Sequence, residues 1–542
     1  MENTIFNLLD ERWIIVTNLK GDEEMLSLID VLIRSHELKS LSGEMPSQDL
    51  AIMRLLLGVL YPIYTRTEEY WEAQEDESKD ACIRIWEDLW ECGHFPENEI
   101  KGYLMQHHDR FWLRHPERPF YQVVKIEKGS DFMASKMIGE LVEGGNKAQL
   151  FPTRSGAGKQ FLEYPEAARW LLYLNSFDDA SAKPSRKGLE SMSVGWLGQL
   201  GLVYVTGENL FETLMLNFSL LNDSKPWENG KAVWELAEPR TSERTIIAMP
   251  GSGEELFTLQ SRRIQLKYHD NKVAGFTLLG GDKFNSEEAF VEPMTMWRFS
   301  KGKSGQRDMF LPPSNAARNP ARHLWRDFAP LLSETEGGSE KSRKPGILRW
   351  ISELEYENII PSKQIQISTL SIKYGNMQSG VDEVWSDSLS VNANILSDLA
   401  SEWIDRIADI VKITEDLVRI LGNLASNIER AAGSPNGDNY RELAMQQAYA
   451  GLDIPFRNWL ASIDRSTSDI VEECGNWLDT AKKIILDHGE FLVSQAGTQA
   501  FVGRTVKFGA KEDYYSTPKV YGWFVGNIFK KLGEATQQRG GE

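Results

Sequence analysis

From Asn392 onward the apolar residues recur every three or four positions in four punctuated blocks, and few folds are open to a chain patterned in that way. The first block, Asn392 to Ala432, lines up Ile395, Leu399, Trp403, Ile407, Ile410, Leu417, Leu421, Leu424 and Ile428, and Gly433 with Pro435 stops it. At 1.5 Å per residue such a helix reaches on the order of 60 Å. The second block, Asp438 to Ile463, contains Pro455, where a kink or split is expected. The third follows the polar cap Ser466-Thr467-Ser468 and runs towards Gly497, while the fourth opens on Thr517-Pro518, an N-cap followed by proline at the first helical position. Each block carries one tryptophan: Trp403, Trp459, Trp477 and Trp523. Four amphipathic helices bury their stripes most simply against one another, so a four-helix bundle is expected over residues 381–542.

The preceding part mixes both element types. Strand character near residues 5–17 leads into helical spacing from Leu26 to Arg66 and from Ala81 to Trp90. Pro116 and Pro119 force an irregular aromatic corner, a helix follows from Tyr164 to Leu174, and Arg263 to Tyr268 alternates as a strand before the turn at His269-Asp270-Asn271. The fold class is therefore α+β, with a large mixed α/β domain over residues 1–380 and the bundle after it.

Charge restricts function. The 542 residues carry a net charge of −19, so the molecule as a whole repels nucleic acid and anionic membrane, and contact with either needs a local basic patch. The stretch Thr65 to Glu99 reads as a solvated acidic helix face. Cys82, Cys92 and Cys474 supply neither a disulfide framework nor a paired metal motif, and the opening residues lack the basic and apolar regions of a secretory signal. The apolar run Ala51 to Tyr64 is interrupted by Arg54 and Pro62 and is too short to span a bilayer. A cytoplasmic protein without a membrane partner is expected.

Catalytic signatures fail on inspection. Ser155-Gly156-Ala157-Gly158-Lys159-Gln160 imitates a phosphate-binding loop, but Thr153 stands where the first glycine belongs and Gln160 where a magnesium-holding hydroxyl belongs. His107-His108-Asp109 and His269-Asp270 contain the His-Asp pair of metal-dependent phosphohydrolases without a visible second ligand set. No enzyme activity, cofactor or metal is expected, and a metal-dependent nucleic-acid hydrolase using His107, His108 and Asp109 is the alternative.

Several segments together resemble one family. They are Asn7-Leu8-Leu9-Asp10-Glu11-Arg12-Trp13-Ile14, Pro119-Phe120-Tyr121-Gln122, Gly195-Trp196-Leu197-Gly198, Glu208 to Leu214, Gln260-Ser261-Arg262-Arg263-Ile264 and Glu292 to Arg298. In identity and order they resemble CasA, the large subunit of the type I-E CRISPR surveillance complex, Cascade. The resemblance implies an α/β domain followed by a four-helix bundle and a function without catalysis. It implies recognition of the PAM beside a double-stranded DNA target, help in opening the duplex for R-loop formation with the guide RNA, and recruitment of a separate helicase-nuclease. The implied partners are the other Cascade subunits, the CRISPR guide RNA, the target DNA and that helicase-nuclease.

The resemblance also implies site residues. A glutamine wedge corresponds to Tyr374 to Gly380, with Asn376, Met377 and Gln378 at its centre, and a compact amide between glycines suits insertion into a base step. The same residues also read as an interdomain linker. A lysine finger for the minor groove corresponds to Lys283 in Gly280-Gly281-Asp282-Lys283-Phe284, which equally suits a solvated lysine in a hairpin turn. A glycine loop corresponds to Lys183-Pro184-Ser185-Arg186-Lys187-Gly188, where one glycine and three cations favour phosphate contact. A mobile segment near the PAM corresponds to Arg154, Gly156, Gly158 and Lys159. Finally, Arg298 to Arg349 carries a local charge of +6, including Lys301, Lys303, Arg307, Arg318, Arg322 and Arg326, as a DNA-following patch or as cations in intramolecular pairs. A scaffold that docks the helicase-nuclease without touching DNA is a third reading.

Overall fold

The computed structural model describes residues 4–75, 79–141, 153–180, 193–242, 246–285, 287–301, 308–312, 323–332, 342–360, 364–397, 400–434, 437–508 and 511–537. The chain forms two compact units. One comprises Met1–Arg318, Glu334–Ile359 and Ile365–Ser388; the other comprises Asn319–Ser333, Ile360–Gln364 and Leu389–Glu542.

In the first unit the helix Pro46–Tyr64 is apolar on every side and buried along nearly its whole length, the pattern of a helix enclosed by other elements. Tyr61 anchors it among Phe218, Trp227 and Phe257, with ring centroids 4.8, 5.7 and 5.2 Å away. Arg54 on the same helix is buried and therefore needs a counter-charge, which Glu292 supplies. The alternating run read at Arg263 to Tyr268 lies in the strand Arg262–His269, which pairs with Lys272–Gly280 across a turn where Asp270 and Asn271 take φ of 46° and 60°. Ser130–Met133 adds the third strand of that sheet. A second three-stranded sheet places Gln364–Tyr374 between Val381–Asn392 and Leu202–Thr206. Its alternating, β-branched start at Ile365 and Ile367 is a strand signal that the linker reading of the neighbouring residues overlooked.

The second unit holds the four expected helices, with shifted edges. The first block contains a short 3-10 turn at Ala393–Ile395, and its long helix runs from Ser401 to Ala432. Gly433 ends it at φ 104°, with its own amide and that of Ser434 on the Glu429 carbonyl. Of the kink or split expected at Pro455, the split does not occur: Asp438–Ser462 continues through it, without the bond that the Gly451 carbonyl cannot receive from a proline. Asp469, in place of the Ser466–Ser468 cluster, caps Ile470–Ser494 by accepting from the Val471 and Glu472 amides. Thr517–Gln537 begins at the expected Thr-Pro.

Of the four tryptophans only Trp477 is fully buried, with its indole N–H on Thr414 Oγ1 at 2.9 Å. Between the last two helices of the bundle, Arg504–Phe508 pairs with Lys511–Tyr515, and Arg504 donates to the terminal carbonyls of Ala431 and Ala432. The unit also takes in chain from far upstream. Trp325 stacks on Phe456 at 4.4 Å and donates to Asp453, while Arg326 pairs with Glu415 and lies over Tyr449. The expected boundary at residue 381 falls at the start of the strand Val381–Asn392, and the change of unit comes after Ser388. No helix among the described residues is long and apolar enough to cross a membrane.

Candidate nucleic-acid interface

The segment Tyr374 to Gly380 is the tip of a β-hairpin and not an open linker: it joins Gln364–Tyr374 to Val381–Asn392, with the Gly375 amide closing on the Gly380 carbonyl at 3.0 Å. Tyr374 roots it. The buried phenol donates to the Phe177 carbonyl at 2.7 Å, and desolvation holds its pKa well above the usual value, so it stays a donor. Beyond it Asn376, Met377, Gln378 and Ser379 are all exposed, Met377 by 88%. Met377 and Gln378 both adopt left-handed backbone angles, φ 56° and 57°, each costing about 1–2 kcal/mol for a residue with a side chain. Gly380, at φ 68°, takes the third such position without that penalty. The tip thus presents an apolar thioether and an amide with donors and an acceptor, in a conformation that costs free energy to hold.

That conformation rests on the residues just after the helix Tyr164–Phe177. The Ala180 amide donates to the Gln378 carbonyl at 2.9 Å, and the Gly380 amide donates to Asp179 Oδ2 at 2.9 Å. Arg262, at the start of its strand, fixes those residues in turn. Its Nε donates to Asp178 Oδ2 at 2.6 Å, and a terminal nitrogen donates to the carbonyls of Asp178 and Ser193, both at 2.9 Å. The side chain is fully buried, which a guanidinium tolerates only when its donors are satisfied. Asp178, Asp179, Ala180 and the buried role of Arg262 were not read from the sequence, because nothing in a Phe-Asp-Asp or Ser-Arg-Arg string states which partners a fold will bring to it.

The remaining site residues divide. Lys183, Pro184, Ser185, Arg186, Lys187 and Gly188 lie outside the described residues, although Ala180 and Ser193 on either side of them are held as described. Lys283 does not occupy a hairpin turn. The Gly281 and Asp282 amides continue the pairing onto the carbonyls of Ser261 and Gln260, and the Lys283 carbonyl takes the Ile247 amide at 2.9 Å. The neighbouring Asp282 is buried between Arg263 at 2.5 Å and Arg240 at 3.1 Å. Lys283 is partly exposed and lines a small pocket together with Ser193, Gln199 and Arg262, which brings the expected finger beside the buried guanidinium.

Arg154 is tied down at the start of its segment, bonded to Glu44 Oε2 at 2.8 Å and to Glu166, while Gly156–Lys159 forms a 3-10 turn. Mobility of the rest of that segment stays an expectation. In the basic stretch, Lys303, Arg307, Arg318 and Arg322 lie outside the described residues. Arg326 pairs with Glu415, and Arg343 and Arg349 share Asp223, so these cations are engaged within the protein. Only part of the +6 can face a polyanion.

The hydrolase alternative loses its geometry. His107 Nε2 stands 3.7 Å from Glu235, with burial lowering its pKa against the pull of that carboxylate. His108 bonds to Asp10 at 2.7 Å and Asp109 faces Arg118 at 3.5 Å, so the three side chains serve three separate partners. Among the described residues no group of three or more His, Cys, Asp or Glu side chains is arranged to hold a metal ion.

Three comparisons bear on this architecture. The family described as CRISPR-associated protein Cse1 matches residues 7–488. A CRISPR-associated protein CasA/Cse1 of Thermus thermophilus is 28% identical over 431 residues, 79% of this chain and 78% of its own. The crystal structure of Thermobifida fusca Cse1 superposes with a TM-score of 0.83 at 28% identity, covering 98% of each chain. A chain from a CRISPR RNA-guided surveillance complex shares the fold at a TM-score of 0.72 and 18% identity, covering 97% of this chain and 99% of its own. The motifs that carried the resemblance are largely structural here, since Trp13, Trp196, Arg262, Arg263 and Glu292 are all buried. With the family match extending over most of its length, this chain belongs to the CRISPR-associated Cse1 family, also written CasA.

Proposed function

We propose that the chain is the non-catalytic, PAM-sensing large subunit of a CRISPR RNA-guided surveillance complex in the cytoplasm, where it joins the other subunits and the guide RNA, starts opening of target double-stranded DNA and recruits a helicase-nuclease. Membership of the Cse1 family and the fold shared with a chain of such a complex support the setting. The observation that carries the duplex-opening role is the exposed tip Asn376-Met377-Gln378 on an anchored base. A wedge must enter a base step without yielding, and it must offer something in place of lost stacking. Met377 supplies an apolar surface and Gln378 an amide for a base edge. Beside the tip, Asp382 and Glu383 on the returning strand are exposed, and Glu383 pairs with Lys373 at 3.6 Å.

Stacking is worth about 1.4 kcal/mol per step and R-loop exchange is nearly balanced, so a wedge that offsets one step changes initiation about tenfold. The test uses the complex assembled with its other subunits and guide RNA, on a PAM-bearing duplex with 2-aminopurine beside the PAM. Gln378→Ala is expected to lower the fluorescence gain on binding by that factor while assembly is unchanged. Equal strand separation by the variant and the parent overturns the wedge.

A further inference from the structure

We propose that Asp179 is the positioning residue of the hairpin tip, an inference that rests on reading the tip as a strand-separating wedge. Asn376 to Ser379 are exposed, so packing does not hold them. Within the tip the backbone is closed by the Gln378 amide on the Gly375 carbonyl at 2.9 Å and the Ser379 amide on the Asn376 carbonyl at 3.2 Å. These bonds shape a turn but do not aim it. Among the described residues two hydrogen bonds tie the tip to other chain segments, and both come from one dipeptide: Asp179 Oδ2 accepts the Gly380 amide, and the amide of the next residue, Ala180, donates to the Gln378 carbonyl, each at 2.9 Å. Met377 and Gln378 lack the short polar side chains with which residues such as Asp270 and Asn271 ease a left-handed backbone, so their geometry carries a cost that outside contacts help to offset.

Asp179 suits the task. Its side chain is 3% exposed, and Oδ2 also takes Lys136 Nζ at 2.5 Å, so the carboxylate keeps its charge partner while it receives the Gly380 amide. A hydrogen bond to an ionised acceptor is shorter and stronger than a neutral one. The carbonyl of Asp178 immediately before it is clamped by Arg262, which prevents the dipeptide from following the hairpin if the hairpin moves. Asp179 thus acts on DNA through Gln378 and touches none itself.

The experiment places a nitroxide at the tip of the full chain through Met377→Cys, in a Cys92→Ser background that removes the exposed cysteine and leaves Cys82 and Cys474 buried. Two replacements of Asp179 are compared. Asp179→Asn keeps an acceptor for the Gly380 amide and is expected to leave the spectrum as in the parent. Asp179→Leu combined with Lys136→Met removes the acceptor without leaving an unpaired buried charge, and is expected to add a fast-tumbling component. The proposal is overturned if the paired variant keeps the parent spectrum, or if its melting temperature falls while the label stays ordered. In the assembled complex, the paired variant should lose duplex opening by the same factor as Gln378→Ala, about tenfold. Adding Gln378→Ala to it should cost nothing more, and independent, multiplying losses count against action through Gln378. If Gln378→Ala alone leaves opening intact, the wedge reading fails while the nitroxide spectra still decide whether Asp179 positions the tip.

Discussion

Arg54 and Glu292 meet as a two-point ion pair inside the first unit, with guanidinium nitrogens 2.7 and 3.0 Å from the two carboxylate oxygens and side chains 4% and 0% exposed. Trp196 donates its indole N–H to the same carboxylate at 2.9 Å, and Arg54 lies 3.9 Å over the ring of Phe257. Removing one partner leaves a buried charge without its counter-ion, so Glu292→Gln is expected to lower stability by about 3–5 kcal/mol, read as a shift of the urea midpoint. A midpoint within error of the parent contradicts this.

Gly198 and Tyr374 form a contact with no spare room, since a Cβ at residue 198 would stand 2.1 Å from the phenol oxygen. Gly198→Ala is therefore expected to destabilise by about 1–3 kcal/mol and to displace the root of the hairpin. Tyr374→Phe removes the clashing atom, so the double variant should lose less than the two single losses added together, which a cycle of thermal melts measures. Strict additivity would mean the two residues do not meet as described.

Asp49, in the first turn of the helix Pro46–Tyr64, has its carboxyl pushed up to about 7 by desolvation, against the opposing effects of the Gly43 amide and Arg169. The folded state thus holds a proton that the unfolded state has released. The resulting stabilisation is complete below the ordinary value of 3.8 and is lost as pH rises through about 7. Asp49→Asn, whose amide oxygen can still accept from Gly43, should flatten that fall, and denaturation midpoints at pH 5 and pH 8 report it. Parallel pH profiles for parent and variant rule the assignment out.

Lys283 is expected to reach a groove of the DNA from its place beside Arg262. Lys283→Ala should weaken binding of the assembled complex to a PAM-bearing duplex and reduce the slope of log affinity against log salt by about one. An unchanged slope would leave the lysine a role within the protein alone.

Much of the second unit is legible in sequence because its determinants are local. A three-and-four apolar spacing, Thr517-Pro518 and Gly433 each act within a turn of their own position, and each was recovered at or near its place. Pro455 left a kink and a split both open because a proline states only which bond is lost, and the helix runs on through it. The site is less legible for the opposite reason. Met377 and Gln378 could be picked out by resemblance, but the contact that ties their hairpin to Asp179 joins residues 201 apart in the chain. Lys283 looked like a turn residue because Gly280-Gly281-Asp282 is turn-rich in composition; a buried Asp282, neutralised by Arg263 and Arg240, makes the same string part of an extended ladder.

The stacking of Trp325 on Phe456 means that the second unit is discontinuous in the gene as well as in the polypeptide. A fragment cut at the strand Val381–Asn392 and grafted elsewhere would arrive with a socket open over Phe456 and Tyr449, with Glu415 missing the Arg326 cation and Asp453 missing the Trp325 indole N–H. Exchanging this module between relatives therefore calls for three stretches of chain, since Asn319–Ser333 and Ile360–Gln364 must travel with Leu389–Glu542.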